Sequence, residues 1–227
     1  MSRAFSLTGG VAFAASLLYA TWWYAWQALG AGPWSWAAAA RPIALDVLLF
    51  TIFAMHHSLF ARSGVKAFVT RTAGPDLERS IYVWIASLLF ATVCALWQPV
   101  PGMAWELSGG AAWLLRGGQI VGVALTLVAV RRLDVLALAG VRRAAGGPVV
   151  LDAGPYRLVR HPIYFAWLFM VGCAPTMNGT RLTFAVVICL YLALAIPFEE
   201  RELRRAFGDA YRSYANKVKW RMVPGIY

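Results

Sequence analysis

The stretch "RHPIYFAWLFMVGCAPTMNGTRLTFAVVICLYLALAIPFEE", residues 160–200, decides how the chain is read. It opens on a guanidinium, an imidazole and an imino acid and runs apolar through 163–175. It breaks at "TMNGTR", runs apolar again through 182–198, and ends on two adjacent carboxylates. Asn-Gly signals a turn, so the stretch reads as a hairpin of two apolar segments with its polar ends on one side. Of the 227 residues, 60% are hydrophobic and only 14% are charged, against about a quarter in ordinary soluble domains. A soluble domain of this size could not hide that much apolar surface. Lipid is therefore the expected solvent.

Runs long enough to cross a bilayer, roughly 17–25 residues, lie at 7–29, 43–60, 80–97, 111–130 and 182–198, and a shorter one at 163–175. With six spans, both termini and the loops 61–79 and 131–160 share one side of the membrane. That side carries 18 Lys and Arg: Arg3, four in 61–79, six in 131–160 and seven in the tail. The other side has Arg41 and Arg181 only, and Arg116 falls within a span. This asymmetry puts the termini in the cytoplasm by the positive-inside rule. Five spans would move the tail's charges across and destroy it.

The sequence thus predicts an all-α polytopic bundle of about six spans with C-terminal amphipathic helices, in one integral membrane domain, 1–227. Residues 1–130 supply spanning and packing helices, and 131–227 the functional core. The net charge of +11 sits beside spans, where it anchors orientation and attracts anionic lipid. Being dispersed in this way, it argues against a nucleic-acid partner. Cys94, Cys173 and Cys189 lie within spans with no metal or disulfide spacing. The first run lacks a cleavage-site pattern and reads as a retained helix. Gly118 and Gly122 stand at GxxxG spacing, which permits close helix approach.

The polar residues around the hairpin are the candidates for chemistry. Pro162 suits the first position of a helix, where the missing N–H costs nothing. His161 then stands beside the positive end of the helix dipole, a place that binds carboxylates and phosphates, and Arg157 and Arg160 add charge. The same residues also suit an interfacial anchor, with snorkelling Arg and a belt of Tyr156 and Tyr164. From spacing alone both readings stand. "PFEERELRRAFGDAYRSY" favours a site, because a carboxylate at a membrane edge is costly unless paired or used. Glu200 has Arg204 at i+4 and Glu202 has Arg205 at i+3, whereas Glu199 has no such local partner. Leu203, Phe207, Tyr211 and Tyr214 form one apolar face of a charged, amphipathic C-terminal helix. That helix is expected to lie on the membrane surface or to fold over the hairpin.

"GPYRLVRHPIY", about 35 apolar residues, "EERELRRAFGDAYRSYANKV" and a terminal "VP" resemble the membrane methyltransferases of the isoprenylcysteine carboxyl methyltransferase superfamily over roughly 148–225. These use S-adenosylmethionine without a Rossmann domain, and the chain contains no GxGxxG. The resemblance implies a cytoplasmic-side cofactor pocket closed by the C-terminal segment. Its implied contacts are Pro148, Val149, Val150 and Leu151, then Tyr156, His161, Pro162, Ile163 and Tyr164, completed by the acid pair Glu199 and Glu200. "FAMHHSLFARSGVKAF", "ERSIYVWIASLLF" and "WQPVP" are similar to a bacterial branch that includes thiol S-methyltransferases and NnrU-type proteins.

Two departures qualify the likeness. Ala166 stands where many relatives have Gly, which would restrict backbone approach to the cofactor. Ala195 stands where the prenylcysteine enzymes have an Arg four residues before the first acid, which weakens the case for a carboxylate acceptor.

His56 and His57 end the second span. They read either as interhelical hydrogen bonders or as a base for the acceptor's proton, and with Arg160 they are the catalytic candidates. No metal site is expected. The sequence therefore predicts S-adenosylmethionine-dependent methylation of a small or lipophilic nucleophile, with a thiol ahead of a carboxylate or amine. The alternatives are a non-catalytic accessory protein of nitrogen-oxide metabolism and an NADPH-dependent, sterol-type membrane reductase.

Overall fold

A computed structural model describes residues 2–26, 32–60, 62–75, 77–142 and 149–227. Its helices are α1 (Ser2–Trp26), α2 (Trp36–Phe60), α3 (Ser63–Ala73), α4 (Glu78–Leu96), α5 (Gly109–Val130), α6 (Val135–Leu138), α7 (Pro162–Gly172), α8 (Gly179–Phe207) and α9 (Asp209–Lys217). Two short strands, β1 (Met103–Glu106) and β2 (Thr176–Asn178), pair antiparallel with Trp105 opposite Met177. The protein is an all-α polytopic membrane bundle. Five helices, α1, α2, α4, α5 and α8, are long and apolar enough to cross a membrane. Their outward faces remain apolar: Leu18 is 72% exposed and Leu114 is 77%, surfaces that lipid and not water accommodates.

The chain forms two units, Met1–Gly102 with Asp134–Ala145, and Met103–Leu133 with Gly146–Tyr227. In the first, α4 carries the core. Ser80, Val83, Ser87, Phe90, Val93 and Cys94 are buried along one face at helical spacing, and α1 and α2 pack on it. Ser80 shares a 2.7 Å hydrogen bond with Ser6 and donates another of 2.7 Å to the Gly140 carbonyl. The fully buried Asp46 of α2 accepts the Gln98 N–H at 2.7 Å, securing the chain where it leaves α4. Two stretches read as loops prove helical: α2 starts at Trp36, seven residues before the expected 43, and α3 occupies much of 61–79.

In the second unit α7 packs on α5 and α8. The fifth apolar run is an 11-residue helix, about 16 Å long at 1.5 Å per residue. The hairpin's ends lie far apart along α8, since the 20 residues from Gly179 to Glu199 rise about 30 Å. The returning arm covers that length by leaving the helix at Cys173 and running extended into β2. The last carbonyls of α7 and those of the arm into β2 lack helical partners and need others inside a bundle, and these are supplied one by one. Gln119 Nε2 donates to Met170 O at 3.0 Å, Trp105 Nε1 to Ala174 O at 2.9 Å, Leu107 N to Pro175 O at 3.0 Å and Arg181 Nη1 to Thr176 O at 2.6 Å. Asn178 caps α8 by accepting the Arg181 N–H at 2.8 Å.

The contact of α5 with α7 depends on the two glycines at GxxxG spacing. A Cβ at Gly122 would lie 2.8 Å from the Ala166 carbonyl oxygen, and one at Gly118 would lie 2.8 Å from Cys173 Sγ. A Cβ at Gly117, by contrast, meets nothing within 4 Å. Gly122→Ala is therefore expected to destabilise by about 1–3 kcal/mol through overpacking, and Gly117→Ala to cause no loss. Thermal unfolding of both variants in one detergent checks this.

Candidate functional site

The mouth of α7 and the end of α8 meet. Pro162 is the first residue of α7 and His161 its N-cap, as the sequence suggested. The segment after α9 runs alongside: Arg160 N donates to Trp220 O at 3.0 Å, and His161 N to Arg221 O at 2.8 Å. The Tyr164 hydroxyl donates to Glu199 Oε2 at 2.9 Å, and the His161 ring stacks on Tyr164 with centroids 5.4 Å apart. His161 Nδ1 lies 3.5 Å from Glu199 Oε2, and His161 Nε2 lies 3.5 Å from Glu200 Oε1. Nε2 is buried and makes no hydrogen bond.

The two acids have opposite environments. The Glu199 side chain is 44% exposed, whereas that of Glu200 is fully buried. Glu200 Oε1 accepts Arg160 Nε at 2.6 Å, and Oε2 accepts Arg204 Nη2 at 2.9 Å with Arg221 Nε at 3.4 Å. Arg160 also donates through Nη1 to the carbonyls of Val218, at 2.6 Å, and Lys219, at 2.9 Å. Arg160, a catalytic candidate from sequence, is thus committed to Glu200 and to the C-terminal backbone. The local pairs Glu200–Arg204 and Glu202–Arg205 are as the spacing indicated, the second at 2.5 Å. Arg221 was not singled out in the sequence. No local pattern marks a partner that is 21 positions from Glu200.

The C-terminal helical stretch is broken at Gly208, whose φ of +56° suits glycine. The break turns α9 so that Tyr211 and Tyr214 bury with Val218 against Val150, Leu203 and Phe207. Its apolar face is therefore taken by the protein and not by lipid. The Tyr214 hydroxyl donates to Tyr156 O at 2.8 Å, linking α9 to the segment before α7. Burial pushes the Tyr211 hydroxyl up to about 12, with the Glu200 charge adding to the shift. Burial and then the Glu199 charge raise Tyr156 above the usual phenol value. These hydroxyls stay protonated at any physiological pH.

Other sequence candidates fall elsewhere. Val149 is 72% exposed, Val150 packs on the tyrosine cluster, and Leu151 is partly buried. Pro148 lies outside the described residues. Pro162 is buried and Ile163 partly so. Ala166 is fully buried, and its carbonyl oxygen lies 2.8 Å from where a Cβ at Gly122 would fall. His56 and His57 belong to the first unit. His57 Nδ1 and the Tyr82 hydroxyl are 2.6 Å apart, a hydrogen bond between α2 and α4, and His56 stacks on Tyr82 at 5.7 Å. Among the described residues no cluster of His, Cys, Asp and Glu could hold a metal ion.

Comparison with known proteins finds no matching family model and no matching solved structure. Curated relatives are similar along most of their length. Methanethiol S-methyltransferase 1 of Bradyrhizobium diazoefficiens is 32% identical over 190 residues, covering 80% of this chain and 67% of that protein. Methanethiol S-methyltransferase of Mycobacterium tuberculosis is 30% identical over 191 residues, covering 80% and 78%. Nurim of Sus scrofa is 30% identical over 193 residues, covering 74% and 73%. The chain belongs to the isoprenylcysteine carboxyl methyltransferase-like superfamily of membrane proteins. The superfamily resemblance was carried by "GPYRLVRHPIY" and "EERELRRAF", the two segments that the fold joins through Tyr164 and Glu199.

The burial of Glu200 has a direct consequence for stability. Glu200→Gln leaves the Arg160 guanidinium, 8% exposed, without its counter-charge, a kind of loss that costs about 3–5 kcal/mol. Glu199→Gln changes a half-exposed group and is expected to cost under about 1 kcal/mol. Denaturation midpoints of the two variants should differ accordingly.

Proposed function

We infer that the protein is an S-adenosylmethionine-dependent membrane methyltransferase with a thiol acceptor. The observation that supports it most is the convergence of Glu199, Tyr164 and His161 at the start of α7, with Tyr156 close enough to feel the Glu199 charge. The residues fit the donor. A half-exposed carboxylate suits an ammonium or ribose hydroxyls, and the start of a helix suits a carboxylate. The Tyr164 and His161 rings, stacked with centroids 5.4 Å apart, offer faces to a cation. When bound, S-adenosylmethionine supplies an electrophilic methyl group on a sulfonium.

In this reading Glu199 and Tyr164 hold the donor's polar groups and the α7 start orients its carboxylate. Arg160 and Glu200 fix the loop that carries His161. The tyrosines of α9 pack on Val150 and bond to Tyr156 O, bracing both ends of the loop between them, and a fixed site favours transfer to a nucleophile lined up at near-attack distance. Bound S-adenosylmethionine would supply the methyl group to the thiol sulfur, with the thiol's proton passing to solvent and S-adenosylhomocysteine as the co-product. Thiolate is the attacking form. His56 and His57, engaged with Tyr82 between α2 and α4, are given no step. A thiol is favoured by the named acceptor of the methanethiol S-methyltransferases and by Ala195, which leaves no cation one turn before Glu199. The site faces the cytoplasm in this reading, on the side with 18 of the 21 Lys and Arg.

The test is methyl transfer from labelled S-adenosylmethionine to methanethiol and longer alkanethiols by purified protein in lipid nanodiscs. A labelled thioether is expected. Glu199→Gln is expected to raise the donor KM about tenfold or more, the loss of a charge-assisted hydrogen bond. A protein that neither binds the donor nor methylates any thiol would refute the reading.

A further inference from the structure

Pro197 lies inside α8. A proline has no N–H, so the carbonyl four residues earlier, Ala193 O, receives no helical hydrogen bond. That carbonyl is taken by the tail: the Tyr227 hydroxyl donates to Ala193 O at 3.2 Å. Tyr227 is tied back in turn. Arg221 Nη1 donates to the Tyr227 hydroxyl at 3.3 Å, and the Arg221 guanidinium lies 5.3 Å from the ring centroid. Met222 N and Val223 N both donate to the Tyr227 main-chain oxygen, at 2.8 and 2.9 Å, closing residues 222–227 into a turn. A continuous chain of contacts therefore runs from Ala193 through Tyr227 and Arg221 to Glu200, and from the Arg221 carbonyl to the His161 N–H.

We propose that Tyr227 is a positioning residue: latched onto the carbonyl that Pro197 leaves open, it holds residues 218–221 against Arg160 and His161 and so sets the donor-binding geometry of the α7 start. This rests on the reading of the site as a methyl-donor site. Tyr227 touches neither Glu199 nor Tyr164 in any of its contacts above. Its influence passes through Arg221, whose carbonyl fixes His161 and whose side chain reaches Glu200. The proline thus has a use beyond bending the helix, because it makes a side-chain acceptor out of a backbone group that a regular helix would consume. The latch also bridges two levels of α8, Ala193 and Glu200, about 10 Å apart along the axis.

The experiment compares wild type, Tyr227→Phe, Pro197→Ala and the double variant, each full-length in nanodiscs. Tyr227→Phe keeps the ring and removes only the hydroxyl. Pro197→Ala supplies a helical N–H that competes for Ala193 O. Hydrogen exchange without donor reads the latch itself. Faster exchange is expected in residues 218–227 and at the Arg160 and His161 amides for both single variants, with the double variant no worse than either. Donor KM is expected to rise about 3- to 10-fold, the value of one net hydrogen bond, while kcat at saturating donor stays within about twofold. A residue that merely stabilised the fold would lower the unfolding midpoint without splitting KM from kcat.

Unchanged exchange in Tyr227→Phe, additive effects of the two substitutions, or loosened exchange with unaltered donor KM would each overturn the proposal. If wild type binds no donor, the site reading fails, while the exchange measurements still decide whether the latch exists.

Discussion

A carboxylate withdrawn from water is tolerated only where cations and donors replace its hydration, and at Glu200 three guanidinium groups do so from three parts of the chain. Arg160 comes from the entry to α7, Arg204 from the next turn of α8, and Arg221 from the segment after α9. Each of these parts would be free to move without the others. With one buried anion between them they are bound into a single corner, and Glu199, one residue earlier, is left facing outward with Tyr164 and His161. The adjacent acids differ in environment: the inner one builds the corner, and the outer one stays half-exposed.

The same corner explains why the fifth apolar segment is irregular. With the start of α7 fixed beside Glu199, the chain must reach the start of α8 about 30 Å away with only the 17 residues from His161 to Asn178. All-helical geometry would fall short by several ångströms at 1.5 Å per residue. Part of the arm is therefore extended, and side chains of α5, α8 and β1 donate to the carbonyls that this exposes. Gly118 and Gly122 let α5 come close enough for Gln119 to reach Met170 O.

Much of this was readable from local pattern. The long apolar runs gave the crossing helices, Pro162 marked the start of α7, and Glu200–Arg204 and Glu202–Arg205 followed from helical spacing. Asn-Gly marked the hairpin turn, and the GxxxG pair marked a close helix contact. What escaped was what pattern does not encode. Glu199 stood out from sequence because it lacks a local partner, yet the buried anion is Glu200, whose decisive partners Arg160 and Arg221 are distant along the chain. The β1–β2 pair is too short to show alternation. α2 begins early because "WAAAARP" has strong helix formers ahead of a proline that a boundary rule treats as a stop. Spacing left open whether Tyr211 and Tyr214 face the membrane surface or the protein, and the turn at Gly208, one residue in an otherwise helical pattern, buries them in the protein.

The central claim is that the α7 start and the α8 end form one donor-binding corner. It is tested most directly by ultraviolet cross-linking of methyl-labelled S-adenosylmethionine to the protein in nanodiscs, followed by peptide mapping. The account expects label in peptides spanning 149–164 and 199–221, abolished by excess S-adenosylhomocysteine. Label confined to α1, α2 or α4 would contradict it.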